Sequence, residues 1–122
     1  MYSRLSLGLV LLALALYPIA AESHHGWNGN SSQEFEITGT VENVSLSGPH
    51  ATMKVRSNGQ LWDVTLAPPA RTERAGLKGG VIPVGAQVTV HGHRNRDAKR
   101  FEIKTERVTW NGRTFNVYPD RQ

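Results

Sequence analysis

The chain contains no cysteine, and this absence restricts both its fold and its chemistry. Without cysteine there is no disulfide, no thiol nucleophile and no attachment point for the acyl chain of a lipoprotein. A serine in a G-x-S-x-G elbow is also missing, as is a glycine-rich phosphate loop that opens a helix. The domain must therefore be held together by its hydrophobic core, and the sequence predicts that it is not an enzyme.

The chain also lacks an apolar run long enough to cross a membrane. The run at residues 5–15 is shorter than the ~20 residues that a spanning helix needs. It follows Arg4 and precedes Pro18 and a small-residue site that ends at Ala21, which is the pattern of a secretory signal peptide. We expect cleavage of residues 1–21 and a periplasmic or secreted protein with no membrane span after cleavage.

The rest of the chain is organised by alternation of apolar and polar residues, which is typical of half-buried strands. A polar, glycine-rich segment at residues 22–33 precedes these strands and is interpreted as a flexible, histidine-containing arm. The pattern predicts strands at residues 34–46, 52–56, 62–66, 87–94, 100–110 and 114–118, with a short helix at residues 70–77 after the third strand.

Two turns connect neighbouring strands tightly. Asn58-Gly59 and Asn111-Gly112 are the residue pairs that favour type I′ hairpin turns, because both central residues need a positive φ. Three strands, a short helix and two further strands follow the order of the OB-type barrel. The sequence therefore predicts an all-β domain over residues 34–122, a small five- to six-stranded OB-like barrel, with a β-sandwich as the runner-up.

The alternation also assigns side chains to the inside or the outside of the barrel. Trp62 and Phe101 are predicted to lie in the core, and Gly39 at a side-chain-free kink of the first strand. Glu102 and Glu106 fall on the outer face near basic residues, a pattern typical of a solvated strand.

Histidine is the unusual residue type of this chain, with five present. His91 and His93 are predicted on one outer face of the fourth strand, roughly 7 Å apart. At that spacing they can share one metal ion held at about 2.0 to 2.1 Å from each ring nitrogen. His50 is a candidate third ligand if the barrel brings it near, and packing in a turn is its alternative role.

A second candidate site lies at the new amino terminus. If cleavage follows Ala21, the mature chain begins Glu22-Ser23-His24, and its amine, two amide nitrogens and imidazole can form a square-planar nitrogen site. That geometry selects copper(II) or nickel(II), and the neighbouring His25 can assist. A solvated leader without metal is the alternative.

Several short motifs resemble the DUF6152 family of small exported bacterial proteins. The matched pieces are His24-His25, Gly39-Thr40-Val41, Gly48-Pro49-His50, Trp62, Arg74-Ala75-Gly76-Leu77, Gly85-Ala86-Gln87-Val88-Thr89-Val90 and Asn111-Gly112. Gly48, Leu77 and Ala86 depart from the family pattern, which has asparagine, tryptophan and aspartate there. The resemblance implies an OB-like fold and an exported location, and it brings no established activity.

Three functions remain open at this point. The first is an exported binding module for a transition metal, with copper or nickel as the candidate ion. The second is a structural module that binds another envelope protein through the barrel or an open sheet edge. The third, binding of nucleic acid or another polyanion, is disfavoured, because only Trp110 and Tyr118 are candidate stacking platforms and export removes the usual substrate.

Overall fold

The structure, a computed structural model, describes residues 27–121. The elements follow the predicted order, with bounds that differ from the prediction mainly at their ends. They are β1 (Phe35–Ser45), β2 (Thr52–Ser57), β3 (Gln60–Thr65), α1 (Pro69–Arg74), β4 (Gln87–Arg94), β5 (Glu102–Trp110), β6 (Arg113–Asn116) and a final 3-10 turn (Pro119–Arg121).

The sheet closes on itself to form a barrel. Its strands pair in the order β3-β2-β1-β4-β5-β6, and β3 pairs with β5 in parallel as well. Val64 on β3 is the register partner of Ile103 on β5, so the first five strands form a closed ring. β6 lies outside the ring and pairs with β5. With α1 between β3 and β4, this is the OB-type arrangement. The predicted barrel is confirmed, and the β-sandwich is not formed.

Both predicted hairpin turns are present. Asn58 and Gly59 have φ values of 49° and 78°, and Asn111 and Gly112 have φ values of 52° and 75°. These are the left-handed conformations that a type I′ turn requires at its two central positions. The turns fix the β2–β3 and β5–β6 registers, and with them the sides of the sheet on which the side chains of these strands lie.

The first strand bends so that it can belong to two parts of the barrel wall. Its first half pairs with β4 and its second half pairs with β2. A Cβ atom on Gly39 would lie 2.2 Å from the carbonyl oxygen of Arg56, much closer than any real contact. Gly39 is therefore the side-chain-free kink that the sequence predicts.

The barrel interior is filled by side chains from every strand of the ring. Burial of each large aliphatic side chain stabilises the fold by about 1.5–3 kcal/mol. Fully enclosed apolar residues include Val41, Met53, Val55, Val64, Leu66, Val88, Val90, Ile103 and Val108. Trp62 is buried as predicted, but the prediction for Phe101 is wrong. Phe101 precedes β5, is 37% exposed and packs its ring against the edge of Trp62 at 5.3 Å.

The described part of the predicted flexible arm, residues 27–33, is hydrogen-bonded to the barrel. The backbone N–H of Ser31 donates to the carbonyl of Arg94 at 2.8 Å, and the N–H of Arg96 donates to Gly29 at 2.9 Å. The sequence did not indicate these contacts because they join backbone atoms distant in the chain. Residues 1–26, with the predicted signal peptide, lie outside the described residues. No helix within residues 27–121 is long and apolar enough to span a membrane.

Candidate metal centre

A β-bulge places Glu106 in the interior of the molecule. In the β4–β5 ladder His91 is opposite Arg107, but the next residue, Gly92, is opposite Thr105. Glu106 is therefore the extra residue on β5. The alternation of inward and outward side chains along the strand shifts by one residue at this point. Thr105 and Glu106 are consequently both buried, with 0% and 1% of their surface exposed. The prediction that Glu106 lies on a solvated face is wrong for this reason.

Gly92 allows the bulge to form. A Cβ atom at this position would lie 2.2 Å from the carbonyl oxygen of Lys104 and 2.9 Å from the Cα of Thr105. Both contacts are to the backbone of the facing strand, which cannot move aside without breaking the ladder. Any other residue would therefore push β5 away and move Glu106.

His93 contacts the bulged glutamate through one ring nitrogen and the amino-terminal segment through the other. Its Nδ1 lies 2.9 Å from the carbonyl oxygen of Ser31, which can only accept a hydrogen bond, so Nδ1 carries the proton. Its Nε2 lies 3.0 Å from Oε2 of Glu106. In a neutral ring this Nε2 presents a lone pair to an ionised carboxylate. The arrangement therefore requires a proton or a metal ion between the two atoms.

Glu34, just before β1, brings a second carboxylate to the same place. Its Oε1 lies 3.6 Å from Nε2 of His93. Its Oε2 accepts a hydrogen bond from Nε2 of His91, which must be the donor because an ionised carboxylate has no proton to give. His91 is therefore a neighbour that orients Glu34. Its remaining nitrogen, Nδ1, is buried without a hydrogen-bond partner among the described residues.

Glu34, His93 and Glu106 form a group whose ligand atoms all lie within 4.8 Å of one another. Two atoms bound to one ion at about 2.1 Å lie at most about 4.2 Å apart, so a small adjustment of the side chains suffices. Glu34 can make that adjustment because its side chain is 55% exposed. Oε1 of Glu106 is buried and has no hydrogen-bond partner in the described part of the chain. These three residues could hold a metal ion.

The group is covered by aromatic and cationic side chains. The ring of Trp27 meets the ring of His93 edge-on at 5.8 Å, and the guanidinium of Arg121 lies 3.9 Å from the centre of the Trp27 ring. Arg121 also places Nε 3.7 Å from Oε2 of Glu106. The ammonium of Lys104 lies 5.1 Å from the Trp27 ring. Burial, and then the charge of Arg121, lowers the pKa of Lys104.

The predicted ligands are distributed differently from the prediction. His91 and His93 do lie together on β4, but only 17% and 7% of their side chains are exposed, so they are not wet outer residues. His93 belongs to the three-residue group, whereas His91 and His50 do not. Burial, and then Lys104, lowers the pKa of His50. The amino-terminal candidates Glu22, Ser23, His24 and His25 lie outside the described residues.

Sequence reasoning missed both carboxylates of the group. Glu34 precedes the first strand and has no distinguishing neighbour in the sequence. Glu106 lies between Thr105 and Arg107, where the apolar positions change phase from Ile103 to Val108, and the predicted simple alternation overlooked that change. Gly92, a glycine between two histidines within a strand, is a further signal, because an interior glycine often marks a bulge or a close backbone approach.

Comparison with known proteins identifies the family of this chain but no individual relative. No curated protein matches it. The model of DUF6152, described as a family of unknown function, matches residues 11–104 and so spans most of the chain. The sequence resemblance found in the short motifs is therefore confirmed, and this protein belongs to the DUF6152 family.

Proposed function

We propose that this protein is exported and that its barrel binds one divalent transition-metal ion through Glu34, His93 and Glu106. The observation that carries this proposal is the contact of Nε2 of His93 with Oε2 of Glu106 at 3.0 Å, while Nδ1 of His93 is committed to a carbonyl oxygen. A proton or a metal ion belongs between the two atoms, and the second carboxylate, that of Glu34, places Oε1 3.6 Å from Nε2 of His93.

The burial of Glu106 supports a metal site over a simple structural ion pair. A buried carboxylate destabilises the fold unless its oxygens are paired. In a structural pair both oxygens would accept hydrogen bonds, but within residues 27–121 Oε1 of Glu106 accepts none and has only a 3.9 Å contact with Nε2 of His91. A metal ion would supply the missing positive charge at both oxygens, and this gives a reason for keeping the glutamate inside.

The donor atoms indicate which ions fit. Imidazole suits zinc, copper, iron and nickel, whereas carboxylates alone would favour magnesium, calcium or manganese. One imidazole with two carboxylates is therefore a site for a borderline transition ion. Copper(II) binds most tightly to such mixed nitrogen and oxygen sites among the first-row divalent ions. This agrees with the candidate ions predicted from the histidines, although the ligands differ. The proposed role of the site is to bind the metal ion, and no catalytic step is assigned to the site.

A thermal-shift titration tests the proposal on the mature chain, residues 22–122. Zinc and cobalt(II) are the informative ions, because the amino-terminal chelate predicted above needs an ion that accepts square-planar geometry. A ligand at 100 times its Kd stabilises a fold by about 2.7 kcal/mol, which raises Tm by roughly 10 °C or more in a domain of this size.

Two variants make the test specific to the site. Glu106→Gln keeps the shape of the side chain and can donate an N–H to Nε2 of His93, so we expect a folded protein without the metal-dependent shift. Glu73→Gln, on the exposed surface of α1, is the matched control and retains the shift. An equal rise in Tm for the Glu106 variant and the unsubstituted chain would refute the barrel site.

A further inference from the structure

A cleft of about 380 Å³ opens beside the metal centre. His93 forms part of its wall, and Trp27, Arg96 and Arg121 line it further out. The cleft therefore connects the proposed ligand His93 with solvent. Arg96 and Arg121 form part of its wall. A molecule that entered it would lie beside His93, one of the three proposed ligands, and beside the two guanidinium groups.

Arg96 is held by a hydrogen bond from its Nε, and Arg121 by its position 3.9 Å from the centre of the Trp27 ring and by a longer contact from its Nε. Nε of Arg96 donates to the carbonyl of Asn30 at 3.0 Å, and Nε of Arg121 lies 3.7 Å from Oε2 of Glu106. Within residues 27–121 the Nη nitrogens of these two side chains make no hydrogen bond. The forked end of a guanidinium matches two oxygens of a carboxylate or a phosphate group. Both side chains are thus positioned by the protein and keep their anion-binding ends available.

The charges around the ion also favour an anion. The two negative charges of Glu34 and Glu106 balance the two positive charges of a divalent ion. The ligands then have no charge left to balance Arg96, Arg121 and Lys104. Metal binding at Oε2 of Glu106 would further weaken the attraction of that oxygen for Arg121.

The ligand set leaves room for an external ligand. Metal sites with three protein ligands usually keep a position open for water or another small molecule. We infer, on the basis of the proposed metal site, that this position binds a small oxyanion group, a carboxylate or a phosphate. One of its oxygens binds the ion, and the guanidinium groups of Arg121 and Arg96 bind the others.

The experiment uses the mature chain loaded with cobalt(II), whose visible absorption reports its ligands. Sodium phosphate and sodium acetate are titrated separately at constant ionic strength. We expect a saturable spectral change with at least one of them, and the active anion identifies the class of oxyanion. Arg121→Gln should weaken the binding of that anion by about tenfold, because a charge-assisted hydrogen bond is lost, while the variant still forms the cobalt complex, whose affinity is measured separately.

Arg113→Gln is the matched control, because Arg113 is an exposed arginine of β6 that lies over the ring of Phe115 at 4.9 Å. It should leave the response to the anion unchanged. If Arg121→Gln fails to fold, Arg121→Lys retains the charge without the fork and should still weaken anion binding.

The possible results separate this inference from the proposed function. Absence of a cobalt spectrum in the unsubstituted protein overturns the metal site itself. A cobalt spectrum that neither anion changes overturns only the oxyanion site. An equal response of Arg121→Gln and Arg113→Gln to the anion would also overturn only the oxyanion site.

Discussion

Nε2 of His93 and Oε2 of Glu106 lie 3.0 Å apart, and the protein holds both side chains in place from opposite sides. His93 is oriented by the carbonyl of Ser31. Glu106 is held through its backbone, because its carbonyl oxygen accepts the N–H groups of Val117 and Tyr118 at 2.9 and 3.1 Å. The pair is therefore preorganised by the segments that precede and follow the barrel strands, which is how precise ligand sites are usually supported.

The first prediction concerns His91, which we consider a positioning residue. His91→Ala removes the hydrogen bond to Glu34 and frees that exposed carboxylate to turn away. Zinc affinity of the mature chain, measured by calorimetry, should fall by about 10–100-fold. His50→Ala is the control, since His50 lies outside the three-residue group, and should leave zinc affinity unchanged. Equal affinity in the two variants would show that His91 does not position a ligand.

The second prediction concerns the glycine that faces the bulge. Gly92→Ala introduces a Cβ atom 2.2 Å from the carbonyl of Lys104, so β4 and β5 must separate. We expect the free energy of unfolding in urea to fall by more than about 2 kcal/mol and zinc binding to weaken with it. Gly79→Ala is the matched control, because no atom lies within 4 Å of the added Cβ and its φ is not positive. Similar stability of both variants would contradict the role assigned to Gly92.

The third prediction follows from the lowered pKa of His50, which arises from burial and then from the charge of Lys104. As the pH falls below the usual value of 6.5, the unfolded chain takes up a proton before the native protein does. Stability is therefore lost on acidification, whereas well above this pH His50 is neutral in both states and has no effect. His50→Gln should show a smaller loss of Tm than the unsubstituted chain between about pH 7.5 and about pH 5. Parallel curves for the two proteins would contradict the burial effect.

The fourth prediction concerns the amino terminus, residues Glu22 to His24, where the candidate chelate depends on the position of cleavage. In a Glu106→Gln background, which removes the barrel site, the mature chain should still bind one copper(II) ion. One extra amino-terminal alanine, or His24→Ala, should abolish this binding, because either change spoils the chelate. Intact mass of the natively purified protein reports where the signal peptide is cut. Equal copper binding by all three forms would exclude the amino-terminal site.

Much of the fold could be predicted because its determinants are local. The alternation of side chains along each strand, together with the type I′ turns at Asn58-Gly59 and Asn111-Gly112, determined which strands pair as hairpins. The helix was predicted at residues 70–77 and ends earlier, at Arg74. Gly76, with a φ of 106°, stands two residues beyond that end, and a glycine in this left-handed conformation commonly terminates a helix.

The sequence by itself determined the barrel, its strand order and the presence of two histidines on one face of β4. Only the tertiary structure decided that His93 is a candidate ligand, that His91 supports it, and that two glutamates complete the group. The physical reason is the bulge at Glu106: the change of apolar phase between Ile103 and Val108 is local, but the burial of Glu106 and its partners depend on the facing strand and on Gly92. Glu34 reaches His93 because β1 and β4 pair in antiparallel register, with Phe35 opposite Gly92, a pairing between residues about 60 positions apart in the chain.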